Sequence, residues 1–171
     1  FVVGDDPSNL TFTVAVDDHV PSENVVNDVE DDLRRGYVTS QTRQRIHQRA
    51  FRDRVLDAYR EKCCICRLTH PSLLDAAHIV ADTDPEGEPV VRNGLALCKL
   101  HHTAYDRSFF GVRPDLKIEV RPSILSETDG PMLEHGLKRI HGKDISVPRK
   151  AEHKPEPWRL EQRFEQYRQS V

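Results

Sequence analysis

The sequence predicts a small α+β fold that needs a staple beyond its own apolar core. Three observations predict it. Apolar residues make up only 37% of the 171 positions, while charged residues reach 31%. Counted with glycine in place of tyrosine, the apolar share still falls below the roughly 45–50% of an average soluble domain. A chain of this length makes one ordinary domain or one small domain with extensions, and a thin core favours the second. All four cysteines sit in two tight clusters, Cys63-Cys64-Ile65-Cys66 and Cys98-Lys99-Leu100-His101. Short alternating runs are mixed with amphipathic helical runs. No stretch approaches the roughly 20 apolar residues needed to span a bilayer, so no membrane is expected as a partner. The chain opens on Phe1 without a leader pattern, and its true start is expected to lie upstream.

Leu10–Val16 reads L-T-F-T-V-A-V, an alternation that predicts a strand. A strand needs partners, so residues 1–20 are expected to be the remnant of an upstream domain. Residues 1–33 carry nine acids and no Lys or Arg, leaving the remainder with a net positive balance. Two units are expected from this asymmetry, and the basic body could face a polyanion. Residues 21–40, acidic and carrying Pro21 and Gly36, are expected to be a linker. A helix follows from about Ser40 to Lys62, with Ser40 or Thr42 as N-cap. Ile46, Ala50, Phe51, Val55, Ala58 and Tyr59 share one face; Arg43, Arg45, Arg49, Arg52, Arg54 and Arg60 occupy much of the rest. Those arginines are either solvated or track phosphates.

Leu116–Val120 alternates as a short strand, Pro131–His141 reads as a helix stopping at Gly142, and Ile145–Val147 as another short strand before Pro148. Residues 149–157 are basic and Pro-containing, a linker by composition. Trp158–Gln169 predicts a terminal amphipathic helix that buries Leu160, Phe164 and Tyr167.

The cysteine spacing points to chemistry. C-x-x-C at Cys63 and Cys66, and C-x-x-H at Cys98 and His101, are two knuckles that each present two ligands from one tight turn. Together they make a three-Cys, one-His set that suits tetrahedral Zn²⁺. A closed set leaves no open position, so such a zinc is structural and supplies folding energy. The alternative is a pair of disulfides, which needs an oxidising compartment, or buried free thiols. Cys64 could replace Cys63 as a ligand, but C-x-C is a poorer bite and a small buried side chain suits it better.

Between the knuckles, Leu73-Leu74-Asp75-Ala76-Ala77-His78-Ile79-Val80 reads as an apolar strand enclosing one histidine. Asn93 follows in R-N-G-L-A-L-C, and the second knuckle runs into His102-Thr103-Ala104-Tyr105-Asp106. His102 and Asp106, four apart, fall on one face of a helix. That pair can bind a hard divalent cation and leave positions for water and phosphate oxygens.

The order His78, Asn93, His102, with one knuckle before it and one inside it, resembles the HNH endonuclease family. L-L-D-A-A-H-I, N-G-L-A-L-C and L-H-H-T-A-Y-D are similar to the branch at the C-terminal end of bacterial restriction endonucleases. The resemblance covers about residues 44–147. It implies a ββα-metal core, two strands and a helix around one metal, within a nuclease domain at 41–147 flanked by helices, with 148–171 as linker and C-terminal helix. It implies that His78 is the general base, that Asn93 holds the loop orienting His78, and that His102 binds the catalytic Mg²⁺ or Mn²⁺. The expected products carry 5′-phosphate and 3′-hydroxyl ends. Asp106 is chosen as the partner of His102. Many family members place a metal ligand just before the base, where this chain has Ala77; either Asp106 or Asp75, the latter on the strand face of Ala77, compensates, or the metal is held more loosely. Arg92, Lys99, Arg107 and Arg113 bracket the motif as candidate phosphate contacts, with solvated surface charge as the alternative for each.

The resulting expectation is a zinc-stapled, metal-dependent DNA endonuclease of HNH type, the cleavage part of a restriction enzyme. A cytoplasmic location is expected because thiolate ligands and DNA occur together there, and a homodimer because double-strand cutting by a one-metal site calls for two copies. The rivals are a zinc-dependent DNA-binding module that does not cut, a disulfide-stapled interaction domain, and a ribonuclease using the same chemistry.

Overall fold

A computed structural model describes residues 2–6, 11–14, 46–128 and 130–170. The chain divides into two units, Phe1–Gln44 and Arg45–Val171. In the first, β1 (Val2–Asp6) pairs antiparallel with β2 (Thr11–Val14), with a register shift between Val2 and Gly4. The strand expected at Leu10–Val16 therefore has a partner in the preceding residues. The linker expected at 21–40 and the N-caps Ser40 and Thr42 lie outside the described residues.

The second unit is a mixed domain of helices and two-stranded sheets, the small α+β architecture that the sequence predicts. Its centre is a hairpin, β3 (Leu74–His78) and β4 (Gly94–Cys98), antiparallel in a register that sets Leu74 against Cys98 and His78 against Gly94. Helix α2 (Lys99–Asp106) leaves β4 directly, with Cys98 at its N-cap. This ββα unit is covered by α1, helical over 46–58 among the described residues. Phe51, Val55, Leu56 and Tyr59 of the α1 segment are buried in one core with Leu74, Ala77, Leu95 and Leu97. The buried stripe is rotated from the one the sequence suggests. Ile46 is 61% exposed and Ala50 is exposed, while Leu56 is buried. Among the described residues the core begins at Phe51, so Ile46 and Ala50 lie outside it.

A second hairpin, β5 (Phe110–Val112) with β6 (Ile118–Val120), follows α2. After α3 (Pro122–Ser126), the helix expected at 131–141 divides into α4 (Pro131–Gly136) and a 3₁₀ turn at Lys138–Ile140. Ending α4 at Gly136 leaves that residue's carbonyl free for His101. The strand expected at Ile145–Val147 reduces to one bridge, Lys117 with Asp144. Its backbone changes partner at once: Ile145 N–H donates to Leu116, but Ser146 N–H donates to Cys64. Helix α5 (Pro157–Gln169) closes the unit, burying Leu160, Phe164 and Tyr167, while Trp158 is exposed. No described helix is long and apolar enough to cross a membrane.

Gly94 is where α1 meets the hairpin. A Cβ there would lie 2.5 Å from Val55 Cγ2 and 3.0 Å from Phe51 Cζ, both fixed in the core. Gly94→Ala is expected to destabilise the domain by about 1–3 kcal/mol through overpacking, read as a lower denaturation midpoint at unchanged slope.

Candidate metal centre and cleft

The four donors of the two knuckles converge. Cys63, Cys66, Cys98 and His101 bring their ligand atoms within 4.8 Å of one another, the one such cluster among the described residues. Local backbone explains the first knuckle. Arg67 N–H donates to the Cys63 carbonyl and Cys63 N–H to Leu68, closing a tight turn that Arg67 completes with φ of 66°. Cys64 N–H donates to Ala96 in β4 at 2.8 Å, which stitches the turn to the hairpin. The second knuckle needs only the strand-to-helix junction, since Cys98 ends β4 and His101 lies in the first turn of α2.

The distances suit zinc. With Zn–S near 2.3 Å and Zn–N near 2.0–2.1 Å, a tetrahedron has S···S edges of about 3.8 Å and S···N edges of about 3.5 Å. Cys66 Sγ and Cys98 Sγ are 3.8 Å apart, and Cys63 Sγ and His101 Nδ1 3.5 Å. Cys98 Sγ lies 3.1 Å from the same nitrogen. His101 Nε2 donates to the Gly136 carbonyl at 2.8 Å, which orients the ring and leaves Nδ1 for an ion. The donors also compete for protons. Hydrogen bonds from Cys66 and Cys98 hold the Cys63 thiol far below the thiol range. Burial disfavours a charged His101 ring, yet the Cys63 and Cys66 sulfurs outweigh it and hold its pKa up at about 10. A divalent cation would replace these shared protons. Cys64 is buried beside the cluster as a small apolar group, and burial pushes its thiol pKa up.

Apart from the Cys/His cluster, β3, α1, α2 and α5 line a cleft of about 640 Å³. His78 and Asp75 line it from β3, and His102 and Asp106 from α2. The His78 ring stacks on Phe51 of α1, with centroids 4.0 Å apart and planes at 15°. Its Nε2 is shielded from solvent and has no hydrogen-bond partner among the described residues. Such exceptions in a native interior call for a functional or structural reason. Burial pulls the His78 pKa below 6.5, partly opposed by the Asp82 carboxylate. Asn93 is fully buried. Its Oδ1 accepts from Val80 N–H at 2.9 Å, and its Nδ2 donates to the Val80 and Glu88 carbonyls at 3.0 Å each. The amide thus clamps both ends of the loop that leaves His78.

His102 Nε2 is 3.4 Å from Asp106 Oδ2 and His102 Nδ1 is 3.8 Å from Asp75 Oδ2. A nitrogen and a carboxylate oxygen so close, at the edge of an open cleft, suit a divalent cation with free positions. The two acids differ. Asp106 is exposed, with His102 as the partner that faces it. Asp75 is committed: Oδ2 accepts from Lys99 Nζ at 2.7 Å, Oδ1 accepts from Ala76 N–H at 3.0 Å, and Arg52 Nε lies 3.6 Å away. Burial would raise its pKa, but Lys99 and the Ala76 N–H outweigh it and hold the carboxyl below the usual range. Alternation puts Asp75 on the face of Ala77, yet Ala77 is fully buried while Asp75 lines the cleft. The carboxylate folds back onto its own neighbouring N–H.

Among the described residues, three of the four bracketing cations have carboxylate partners, and Arg107 is placed by its backbone alone. Arg92 pairs with Glu156 at 3.3 Å, Lys99 with Asp75, and Arg113 with Asp115 at 3.1 Å; Arg107 caps the backbone end of α2. None of the four lines the cleft. The cations that do are Arg49 and Arg52 of α1 and Arg163 of α5. Arg52 is tied down, donating to the Pro71 and Leu74 carbonyls. Arg49 has no side-chain partner among the described residues. Nothing in residue spacing marked Arg163, because its role depends on where α5 docks.

If the cluster holds a structural ion, elemental analysis finds one zinc per chain and Cys98→Ala loses it. Stripping the ion with a chelator at neutral pH is then expected to abolish the cooperative thermal transition. A transition that stays sharp at zero metal content would contradict a structural role.

A family model described as HNH endonuclease matches residues 63–113. No curated protein and no solved structure matches the chain. The matched segment holds both knuckles, the β3–β4 hairpin, α2 and β5, and it points to a nuclease or DNA-binding function.

Proposed function

We propose that the chain is a metal-dependent endonuclease acting on DNA, the cleavage part of a restriction enzyme. The observation that carries this reading is that His78 on β3 and His102 with Asp106 on α2 line one cleft within the segment that the HNH endonuclease model matches. A binding module would have no use for a strand imidazole lining the same cleft as a helix-borne nitrogen and carboxylate.

In this reading His78 takes a proton from the water that attacks phosphorus. The new P–O bond forms as the bond to the 3′ oxygen breaks, and solvent protonates the leaving oxygen, giving 5′-phosphate and 3′-hydroxyl ends. Phe51 holds the His78 ring on one face, and the low polarity there keeps the imidazole neutral, the form a base needs. Asn93 fixes the loop behind it. A Mg²⁺ or Mn²⁺ ion held by His102 and Asp106 would supply positive charge to the phosphate and the leaving oxygen. Asp75, engaged by Lys99, ranks behind Asp106 as a ligand and faces the other ring nitrogen of His102. Among the described cations that line the cleft, Arg49 is the one without a side-chain partner, and it is placed to meet a backbone phosphate. Cutting both strands calls for two copies of the chain.

His78→Ala is expected to lower nicking of supercoiled plasmid at least about a hundredfold while DNA binding persists. Wild-type rates in that variant would remove His78 from the base role, and binding without cutting by the wild-type protein would favour the DNA-binding module. Because burial lowers the His78 pKa, the active neutral form persists below pH 6.5. Activity should rise with pH along an acid limb whose midpoint lies under that value. A midpoint above it in the kcat/KM profile of the free enzyme would contradict the assignment.

A further inference from the structure

Helix α5 lies outside the segment matched by the family model, yet its polar face reaches the cleft. Arg159, Gln162, Arg163 and Gln166 recur at i, i+3, i+4 and i+7, one stripe of a helix. Beside them Leu160, Phe164 and Tyr167 anchor α5 in the core. The N-terminal half of the stripe grips the loop that leaves His78. The Arg159 guanidinium, 4% exposed, donates to the Glu86 carbonyl and to Glu156 Oε2, and lies 3.6 Å from Glu88 Oε2. Gln162 Nε2 donates to Asp84 Oδ2 at 3.3 Å. Glu88 is also the residue whose carbonyl Asn93 holds. A buried guanidinium is costly unless well partnered; here its hydrogen-bond and ion-pair partners come from this loop and from Glu156 at the helix N-cap, and the Trp158 ring centroid lies 4.3 Å from it.

The C-terminal half grips α2. Arg163 Nη2 donates to the Tyr105 carbonyl at 2.8 Å and reaches the Asp106 carbonyl at 3.5 Å, with its guanidinium 4.9 Å from the centroid of the Tyr105 ring. These carbonyls end the helix, where a cation is favoured, and the Tyr105 carbonyl also accepts from Ser108 N–H at 3.0 Å. Arg163 and Gln166 also line the cleft.

We propose that the polar stripe of α5 is a positioning wall of the site: Arg159 sets the loop behind His78, and Arg163 sets the end of the helix that carries His102 and Asp106. One rigid helix thereby fixes the spacing between the strand imidazole and the helix-borne pair. The proposal rests on the nuclease reading. Both arginines are positioning residues acting through backbone.

The test compares the full chain with Arg163→Lys, Arg163→Met and Arg159→Lys. It reads kcat and KM for plasmid nicking, zinc content and Tm. The expected result is a kcat lowered roughly tenfold to a hundredfold with KM within about twofold and zinc retained. Lysine should not rescue position 163, because a compact ammonium lacks the planar face that lies over the Tyr105 ring and the second nitrogen that donates to Gln166 Oε1 while Nη2 holds the Tyr105 carbonyl. Wild-type kcat in both Arg163 variants overturns the proposal. So does a raised KM at unchanged kcat, which would make Arg163 a phosphate contact. If Arg159→Lys melts below the assay temperature, the half-buried Arg163 decides. A wild-type chain that does not nick DNA refutes the nuclease reading itself; an active wild type with unimpaired variants refutes the stripe alone.

Discussion

Four soft donor atoms gathered from two turns govern where everything else in the domain can be. Cys98 ends β4 and His101 lies in the first turn of α2, so whatever holds them holds the strand-to-helix junction. Cys63 and Cys66 reach that junction from a turn that is itself stitched to Ala96 by a backbone hydrogen bond. His102 follows His101 directly, and Asp106 is one helical turn further. An ion held by the four donors would cross-link the junction and set the direction in which that imidazole and carboxylate project.

The cleft side of the hairpin is shaped by packing and by backbone hydrogen bonds. The His78 ring lies flat on Phe51 because Gly94, its cross-strand partner, has no Cβ and lets α1 approach. The same close approach removes water and disfavours the imidazolium. Asn93, fully buried, satisfies all its hydrogen-bonding groups with main chain, so the loop behind His78 is held by main-chain contacts. Arg54 adds another tie from α1, donating to the Pro89 carbonyl of that loop.

Several of these features were readable from residue order. The C-x-x-C and C-x-x-H spacings favour a four-donor cluster, and the four donors converge. The i, i+4 relation of His102 and Asp106 requires only a helix, and α2 supplies it. The face of α1 was harder. Ile46 and Phe51 look equivalent by hydrophobicity, but only the second has a hairpin beneath it. The strand expected at Ile145–Val147 fails for a similar reason: its alternation is sound, but Ser146 finds its acceptor in Cys64 instead of continuing along β6.

Chemistry encoded in short spacings is thus a property of the sequence itself: two metal-type knuckles, a strand histidine, a helical His–Asp pair and a buried-type asparagine near the loop. Tertiary structure decided which cations are free and which are spent. Arg92, Lys99 and Arg113 pair with carboxylates, while Arg163, from a helix more than fifty residues beyond the pair it supports, enters the cleft. The reason is one of range. Turn and helix geometry act over three or four residues, whereas the partner of a long charged side chain depends on how distant elements dock, and docking follows from burial of apolar faces that carry no label for the polar groups riding beside them.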